Sequence, residues 1–295
     1  MKVIGLKGSK IRVYGKTGKL TPKGIPEEHT AFLHNLFTND IGGMRENSLS
    51  YNLWLRQNGF PRGEFFVYRL DGEYFLDTPL EAKSVVEEFN SLKLSMRVYF
   101  EPIEMEHLFL FGDGVGEFIK SHFKVSLKEC EVVRVGDVLI AHNPFRLREE
   151  GYDIMGNGLS LPQAETMSED EFEDLRIQKM VPKLGKELKE GFSPLEACLL
   201  KTAISLTKGC YVGQEAIARV HYRGRLPRVL ALVEGQSLVE GEKIRVEDKD
   251  IGVITSVSPL RPIALAYLLR AKVEQERSFL TDRGNNIKVL RLCEV

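Results

Sequence analysis

The densest run of reactive side chains lies between Thr207 and Arg228, around Lys208-Gly-Cys-Tyr-Val-Gly-Gln-Glu215. Gly209 and Gly213 bracket Cys210, and two glycines at this spacing let the backbone turn sharply and approach a partner closely. The residues from Gln214 to Arg219 read as the start of a helix. A thiol just ahead of a helix N-terminus, with Lys208 beside it, is expected to favour the thiolate, the nucleophilic and metal-ready form. A small residue filling a tight turn would look the same, and residue chemistry alone does not separate the two readings. The stretch is also basic: Lys201, Lys208, Arg219, Arg223, Arg225 and Arg228 stand against only Glu215. Such a cluster can hold a polyanion or can be a solvated face. With few aromatics beyond Tyr211 and Tyr222, it is a poor stacking platform for nucleic acid.

Other candidate motifs are weaker. Gly15-Lys-Thr-Gly-Lys19 fails the phosphate-loop spacing and reads as a basic surface loop. Gly112-Asp-Gly-Val-Gly116 follows a strand-like run, but Glu117 stands where a dinucleotide fingerprint needs its third glycine. Glu104 and His107 form a single Glu-x-x-His, whereas a di-iron bundle needs two on helices. No dedicated metal site is expected. Cys130, Cys198, Cys210 and Cys293 are widely spaced with no Cys-x-x-Cys, which predicts reduced thiols with no disulfide framework. The acidic run from Ser168 to Asp174 reads as a helix N-terminal turn, favoured by the helix dipole.

The elements that must position these residues follow from periodicity. Short runs rich in β-branched or aromatic residues dominate the first half: Lys10–Tyr14, Tyr51–Leu55, Phe65–Leu70, Leu108–Phe111, Val132–Val135 and Val138–Ala141. Helical candidates lie between them at Glu27–Leu36 and at Pro79–Leu92 with Thr78 as N-cap. Later, Ser168 and Glu171 have capping-box spacing, and Ser193, Pro194 and Glu196 repeat the start signals. After Pro227 the pattern becomes short strands separated by Gly, Asp and Asn, as in a small β-barrel. The expected class is α+β, with domains 1–226 and 227–295. Across 295 residues, 43% are hydrophobic and 28% charged, and the net charge is −1. That balance supports a full core and gives no global field towards nucleic acid or membrane. No apolar run is long enough for a membrane span or a signal peptide, so a cytoplasmic location is expected.

The string Lys208-Gly-Cys-Tyr-Val-Gly-Gln-Glu215, followed by Ala218-Arg219 and Gly224, resembles the signature of the YgfZ family. These are folate-binding proteins related to the glycine-cleavage T-protein, an aminomethyltransferase. The resemblance continues through Arg176-Ile177, Pro182, Gly185 and Pro194-Leu-Glu-Ala197, through Phe32-Leu-His-Asn-Leu-Phe-Thr-Asn-Asp-Ile41, and through Glu150-Gly-Tyr-Asp153. It extends to Gly252-Val-Ile-Thr-Ser256, Ser258-Pro259 and Ile263-Ala-Leu-Ala266. It implies a T-protein-like folate-binding body of two intertwined α/β subdomains plus a small C-terminal β-barrel. The family cysteine falls on Cys210, and a family aromatic that contacts folate falls on Phe172. The T-protein carries an Asp-Asp pair, one of whose acids assists one-carbon transfer; Gly63-Glu64 stands there, keeping one carboxylate a methylene longer.

On that resemblance the chain is expected to bind tetrahydrofolate and to serve iron–sulfur cluster assembly or repair, with an indirect effect on tRNA modification. Its partners would be folate and iron–sulfur client or assembly proteins, with no direct nucleic-acid or membrane partner. Cys210 and Glu64 are the candidate chemical residues. Phe172, Arg176, Tyr211, Gln214, Glu215, Arg219 and Arg223 are the candidate folate contacts. The alternatives are an aminomethyltransferase-like enzyme using Glu64 and an RNA-binding module built on Arg219–Arg228.

Overall fold

The computed structural model describes residues 1–16, 24–161, 163–224 and 226–294. The end of the Gly15–Lys19 loop and Arg225 lie outside them. The chain forms two compact units that interleave in sequence. The first contains Met1–Leu55, Gly63–Met167 and Thr202–Val212; the second contains Arg56–Arg62, Ser168–Lys201 and Gly213–Val295.

The first unit holds two sheets. The five-stranded sheet runs in the order Ser48–Leu55, Pro61–Leu70, Glu73–Thr78, Ser9–Gly15, Val98–Ile103. Its central hairpin turns at Asp71-Gly72, both with positive φ (57° and 73°), the Asp-Gly pair that a two-residue hairpin favours. Phe32, Phe37, Trp54, Phe65 and Phe89 fill the core between this sheet and the helices Glu28–Leu36 and Ala82–Leu92. The second helix starts three residues later than the sequence predicts. Its N-cap is Glu81, whose carboxylate accepts from the amides of Lys83 and Ser84.

The six-stranded sheet runs Glu165–Thr166, Lys2–Gly5, Glu106–Phe111, Gly151–Gly156, Val138–His142, Val132–Val135. Helix Val115–Phe123 covers it through Val115 and Ile119. Strand Glu106–Phe111 is antiparallel to both neighbours, so the Gly112–Gly116 turn belongs to no βαβ unit.

In the second unit, helix Glu169–Gln178 carries the expected capping box, with Ser168 and Glu171 each bonding the other's backbone amide. The Ser193–Leu199 stretch folds as turns, and only Leu200–Ala203 is helical. Cys198 has φ of 59°, which an α-helix forbids, and the Glu196 carbonyl accepts from Leu230. Six strands then close a barrel in the order Arg228–Gly235, Ile263–Leu269, Lys249–Val257, Lys243–Val246, Ser278–Thr281, Asn286–Leu292. Closure leaves no unpaired strand edge. The barrel groups with residues 56–62, 168–201 and 213–224 in one compact unit.

One expectation fails outright: Cys198 and Cys293 form a disulfide, with Cα atoms 6.1 Å apart and 95 residues between them in sequence. Proximity across that separation comes from the fold, and no local spacing announces it. Cys130 and Cys210 are outside any disulfide.

Candidate functional site

In the first unit, charged side chains face inward from both sheets. Lys10 and Asp77 are direct cross-strand partners, and the Lys10 ammonium lies 2.7 Å from Asp77 Oδ1. On the six-stranded sheet, Asp153 and His107 sit diagonally on neighbouring strands, and the imidazole Nε2 lies 2.9 Å from Asp153 Oδ1. Arg146, in the loop after strand Val138–His142, joins the two pairs. Its Nη2 donates to Asp77 Oδ2 at 2.6 Å and its Nε to Asp153 Oδ1 at 2.5 Å. Tyr68 and Asn143 each donate to Asp153 Oδ2 at 2.7 Å. Asp153 therefore accepts four hydrogen bonds at zero exposure, about the full capacity of a carboxylate.

Two cations face two carboxylates, so the cluster balances with His107 neutral. Burial pushes the Asp153 carboxyl up, but Arg146 and His107 outweigh it and hold the pKa well below the usual range. Asp77 follows the same logic: burial raises it, and Arg146, His107 and Lys10 bring it below normal. Burial lowers the His107 pKa, only partly opposed by Asp153. Perturbed, buried titratable groups of this kind cluster at functional sites and in structural ion networks alike.

Arg146 also borders an aromatic recess. Its guanidinium lies 4.0 Å from the Phe66 ring centre. Tyr51 stacks on Phe66 at 5.0 Å and on Phe145 at 5.8 Å. The Tyr51 hydroxyl donates to Glu64 Oε1 at 2.8 Å. Burial, reinforced by Glu64, pushes the Tyr51 phenol well above its usual pKa, which keeps it a donor. Glu64 and Phe145 are half-buried. Beside Glu64, Gly63 has no room for a side chain: a Cβ there would meet Phe65 at 2.9 Å and Leu80 at 3.2 Å. A carboxylate held by a phenol beside aromatic faces suits a flat heterocycle with a donor edge.

The Lys208–Glu215 string straddles the boundary between the units. Gly209 and Gly213 have φ of 94° and 83°, so both glycines are needed for the turn, and Gly213 caps helix Gln214–Tyr222. Lys208 commits its ammonium to the carbonyls of His34, Phe37 and Asn39, at 2.5, 2.5 and 2.8 Å. Those carbonyls end helix Glu28–Leu36, so Lys208 is a C-terminal cap. His34 Nε2 contacts the Lys208 carbonyl in return, at 3.0 Å. Thr38 donates to the Ala203 carbonyl at 2.6 Å and Asn39 to that of Thr202 at 3.2 Å. The Thr38-Asn39 turn and the segment before Cys210 are thus fastened together. Cys210 is exposed. Tyr211 is 7% exposed, its hydroxyl is buried with no hydrogen-bond partner among the described residues, and burial pushes its pKa up to about 12.

Of the residues singled out from sequence, Glu64, Cys210 and Tyr211 belong to the first unit; Phe172, Arg176, Gln214, Glu215, Arg219 and Arg223 belong to the second. Glu215, Arg219 and Arg223 are exposed, and Phe172 and Gln214 half-buried. Arg176 differs from its expected role. Its guanidinium donates to both Glu173 oxygens, to the Val181 carbonyl, to Glu187 and to Ser256. These five bonds use all five N–H groups, so Arg176 binds helix to barrel with no donor left for a ligand. Sequence reasoning missed Lys10, Tyr68, His107, Arg146 and the role of Asp77. The available signal was charge at inward strand positions, as in Tyr152-Asp153 and Leu76-Asp77.

No protein-family model matches the chain. The structure matches the glycine cleavage system aminomethyltransferase T from Bartonella henselae with a TM-score of 0.80 at 16% identity, over 98% of this chain and 84% of that one. An aminomethyltransferase of Thermoanaerobacter pseudethanolicus is 24% identical over 269 residues, 81% of this chain and 71% of that protein. The chain is a homologue of the aminomethyltransferases and has the fold of their T-protein. It belongs to one family with an uncharacterized protein of Aquifex aeolicus, 49% identical over 143 residues, 47% of this chain and 96% of that protein.

Proposed function

We propose that this chain is a tetrahydrofolate-binding protein of the YgfZ branch that supports iron–sulfur cluster assembly or repair. The observation that carries the folate reading is the Tyr51–Glu64 pair beside Phe66 and Phe145. A pterin presents an amino group and a ring N–H on one edge, which a carboxylate accepts, and a flat face that stacks on aromatics. Glu64 would take that edge and Phe145 the face. Arg219 and Arg223, exposed on helix Gln214–Tyr222, would hold the tail carboxylates. Phe172, Tyr211, Gln214 and Glu215 remain candidate contacts.

Cys210 is the residue for the cluster chemistry. An exposed thiol on a glycine-hinged turn can act as a nucleophile or as one ligand to a cluster passing between proteins.

A second reading, aminomethyl transfer, has its support in Glu64, a carboxylate that can assist at the folate nitrogen. The crowding at Gly63 argues against it, because the second acid of the T-protein pair has no space. The deciding experiment is anaerobic calorimetry with tetrahydrofolate on wild type, Glu64→Gln and Cys210→Ala. Glu64→Gln is expected to weaken binding about tenfold or more, the scale of a lost charged hydrogen bond, and Cys210→Ala to leave it unchanged. No binding by wild type removes the folate reading. Turnover of an aminomethyl donor to methylene-tetrahydrofolate would instead make the protein a transferase.

A further inference from the structure

The Cys198–Cys293 disulfide has surroundings that the folate reading does not use. Cys293 lines a groove of about 670 Å³ on the barrel, at the end of strand Asn286–Leu292. Arg270, Arg277, Lys288 and Arg291 line the same groove, with Glu294 its single acid. Arg270, Arg277 and Lys288 make no ion pair among the described residues. Arg270 also lines a second groove of about 400 Å³, whose wall includes Leu195 and Leu200. The Cys293 end of the disulfide therefore lies on the basic groove.

Some arginines elsewhere meet carboxylates, Arg12 with Glu73, Arg69 with Glu27 and Arg245 with Asp250, whereas others, Arg219 and Arg223 among them, make no ion pair among the described residues. A groove with four cations and one acid gathers anions, and a positive field favours a thiolate over a thiol. Cys293, 6% exposed, is the residue of the disulfide that lines the groove, and Cys198, half-buried, is the group displaced when Cys293 is attacked.

We propose that the groove is a thiol–disulfide exchange site for small anionic thiols, those that carry carboxylates beside the sulfhydryl. The incoming thiolate attacks Cys293 Sγ, a new S–S bond forms there, the Cys198–Cys293 bond breaks, and its electron pair leaves on Cys198 as a thiolate. One disulfide replaces another, and no external oxidant or reductant is needed. Arg270, Arg277 and Lys288 hold the carboxylates of the incoming molecule. The segment up to Cys198 is then released from its covalent tie to the last strand.

The test uses full-length protein with Cys210→Ser, which removes the exposed thiol. Glutathione, a dicarboxylate thiol, is compared with neutral 2-mercaptoethanol and cationic cysteamine at equal thiolate concentration. Intact mass and peptide mapping read the rate and position of the adduct. Glutathione is expected to modify Cys293 about tenfold faster than the neutral thiol, the lower end of electrostatic rate steering, with cysteamine slowest. Salt should shrink the difference. Arg277→Glu together with Lys288→Glu, both at exposed positions, should abolish or reverse it. Equal rates for the three thiols, an adduct on Cys198 instead of Cys293, or two reduced thiols at these positions in the purified protein would each overturn the proposal.

Discussion

Asp153 and Arg146 show how far one residue's state depends on its neighbours. Removing Arg146 leaves two buried carboxylates without their main counter-charge, a change that costs about 3–5 kcal/mol. Arg146→Met is therefore expected to lower the urea midpoint sharply and to move acid unfolding to higher pH. The wild-type pH dependence follows from the directions of three shifts. Asp77 and Asp153 are depressed in the fold, so the unfolded chain takes up their protons first, near pH ~3.9. Their contribution is complete above that value and is lost as the pH falls towards the folded pKa. His107 is depressed too, so its ring stays neutral in the fold while the unfolded ring protonates near ~6.5. Stability should thus begin to fall below about pH 7 and fall again below about pH 4. His107→Gln should flatten the upper limb in a series of urea titrations across pH; an unchanged upper limb would mean that another group carries it.

At the scale of elements, the position of Lys208 in its string has a mechanical explanation. Its ammonium closes the last carbonyls of helix Glu28–Leu36, where a positive charge also meets the negative end of the helix dipole. Lys208→Met keeps the stem but strands three acceptors. The expected cost is about 2–3 kcal/mol, read as a lower thermal midpoint, with Lys208→Arg restoring part of it. Tetrahydrofolate binding, measured below that midpoint, should fall much less than it does in Glu64→Gln. This turn is also where sequence and structure agree most closely. The Phe37–Asp40 segment and the Lys208 string were both legible as motifs, but that one fastens the other was not. The bonds between them cross more than 160 residues of chain, as the 165-residue separation of Thr38 and Ala203 shows.

Across the whole molecule, the barrel is tied into the rest of its unit by polar and covalent links. Glu187 accepts from Thr255 and Ser256, Arg228 pairs with Glu196, and Cys198 joins Cys293. A fragment of residues 227–295 loses all three, which takes from Arg228 and the Ser256 hydroxyl their partners Glu196, Glu187 and Arg176. It is expected to lack a cooperative thermal transition, whereas residues 168–295 should retain one by circular dichroism. Reducing the disulfide in the full chain should cost about 4.7 kcal/mol, the loop-closure value for roughly a hundred residues, and Cys293→Ser should melt at the same temperature as the reduced protein. If reduction leaves the melting temperature unchanged, this bond does not constrain the unfolded chain.

The sequence by itself determined the strands of the barrel, the α+β class, the capping box at Ser168 and the glycine-hinged turn around Cys210. Each is written within a few consecutive residues, through alternation, capping chemistry or the need for positive φ. Only the tertiary structure decided that Arg176 is a clasp, that Lys208 caps a helix, that Cys198 meets Cys293 and that Lys10, Asp77, Arg146 and Asp153 form one network. These depend on side chains from distant segments arriving at one point, where loss of water makes pairing obligatory. A linear pattern records which groups need partners; the fold alone assigns them.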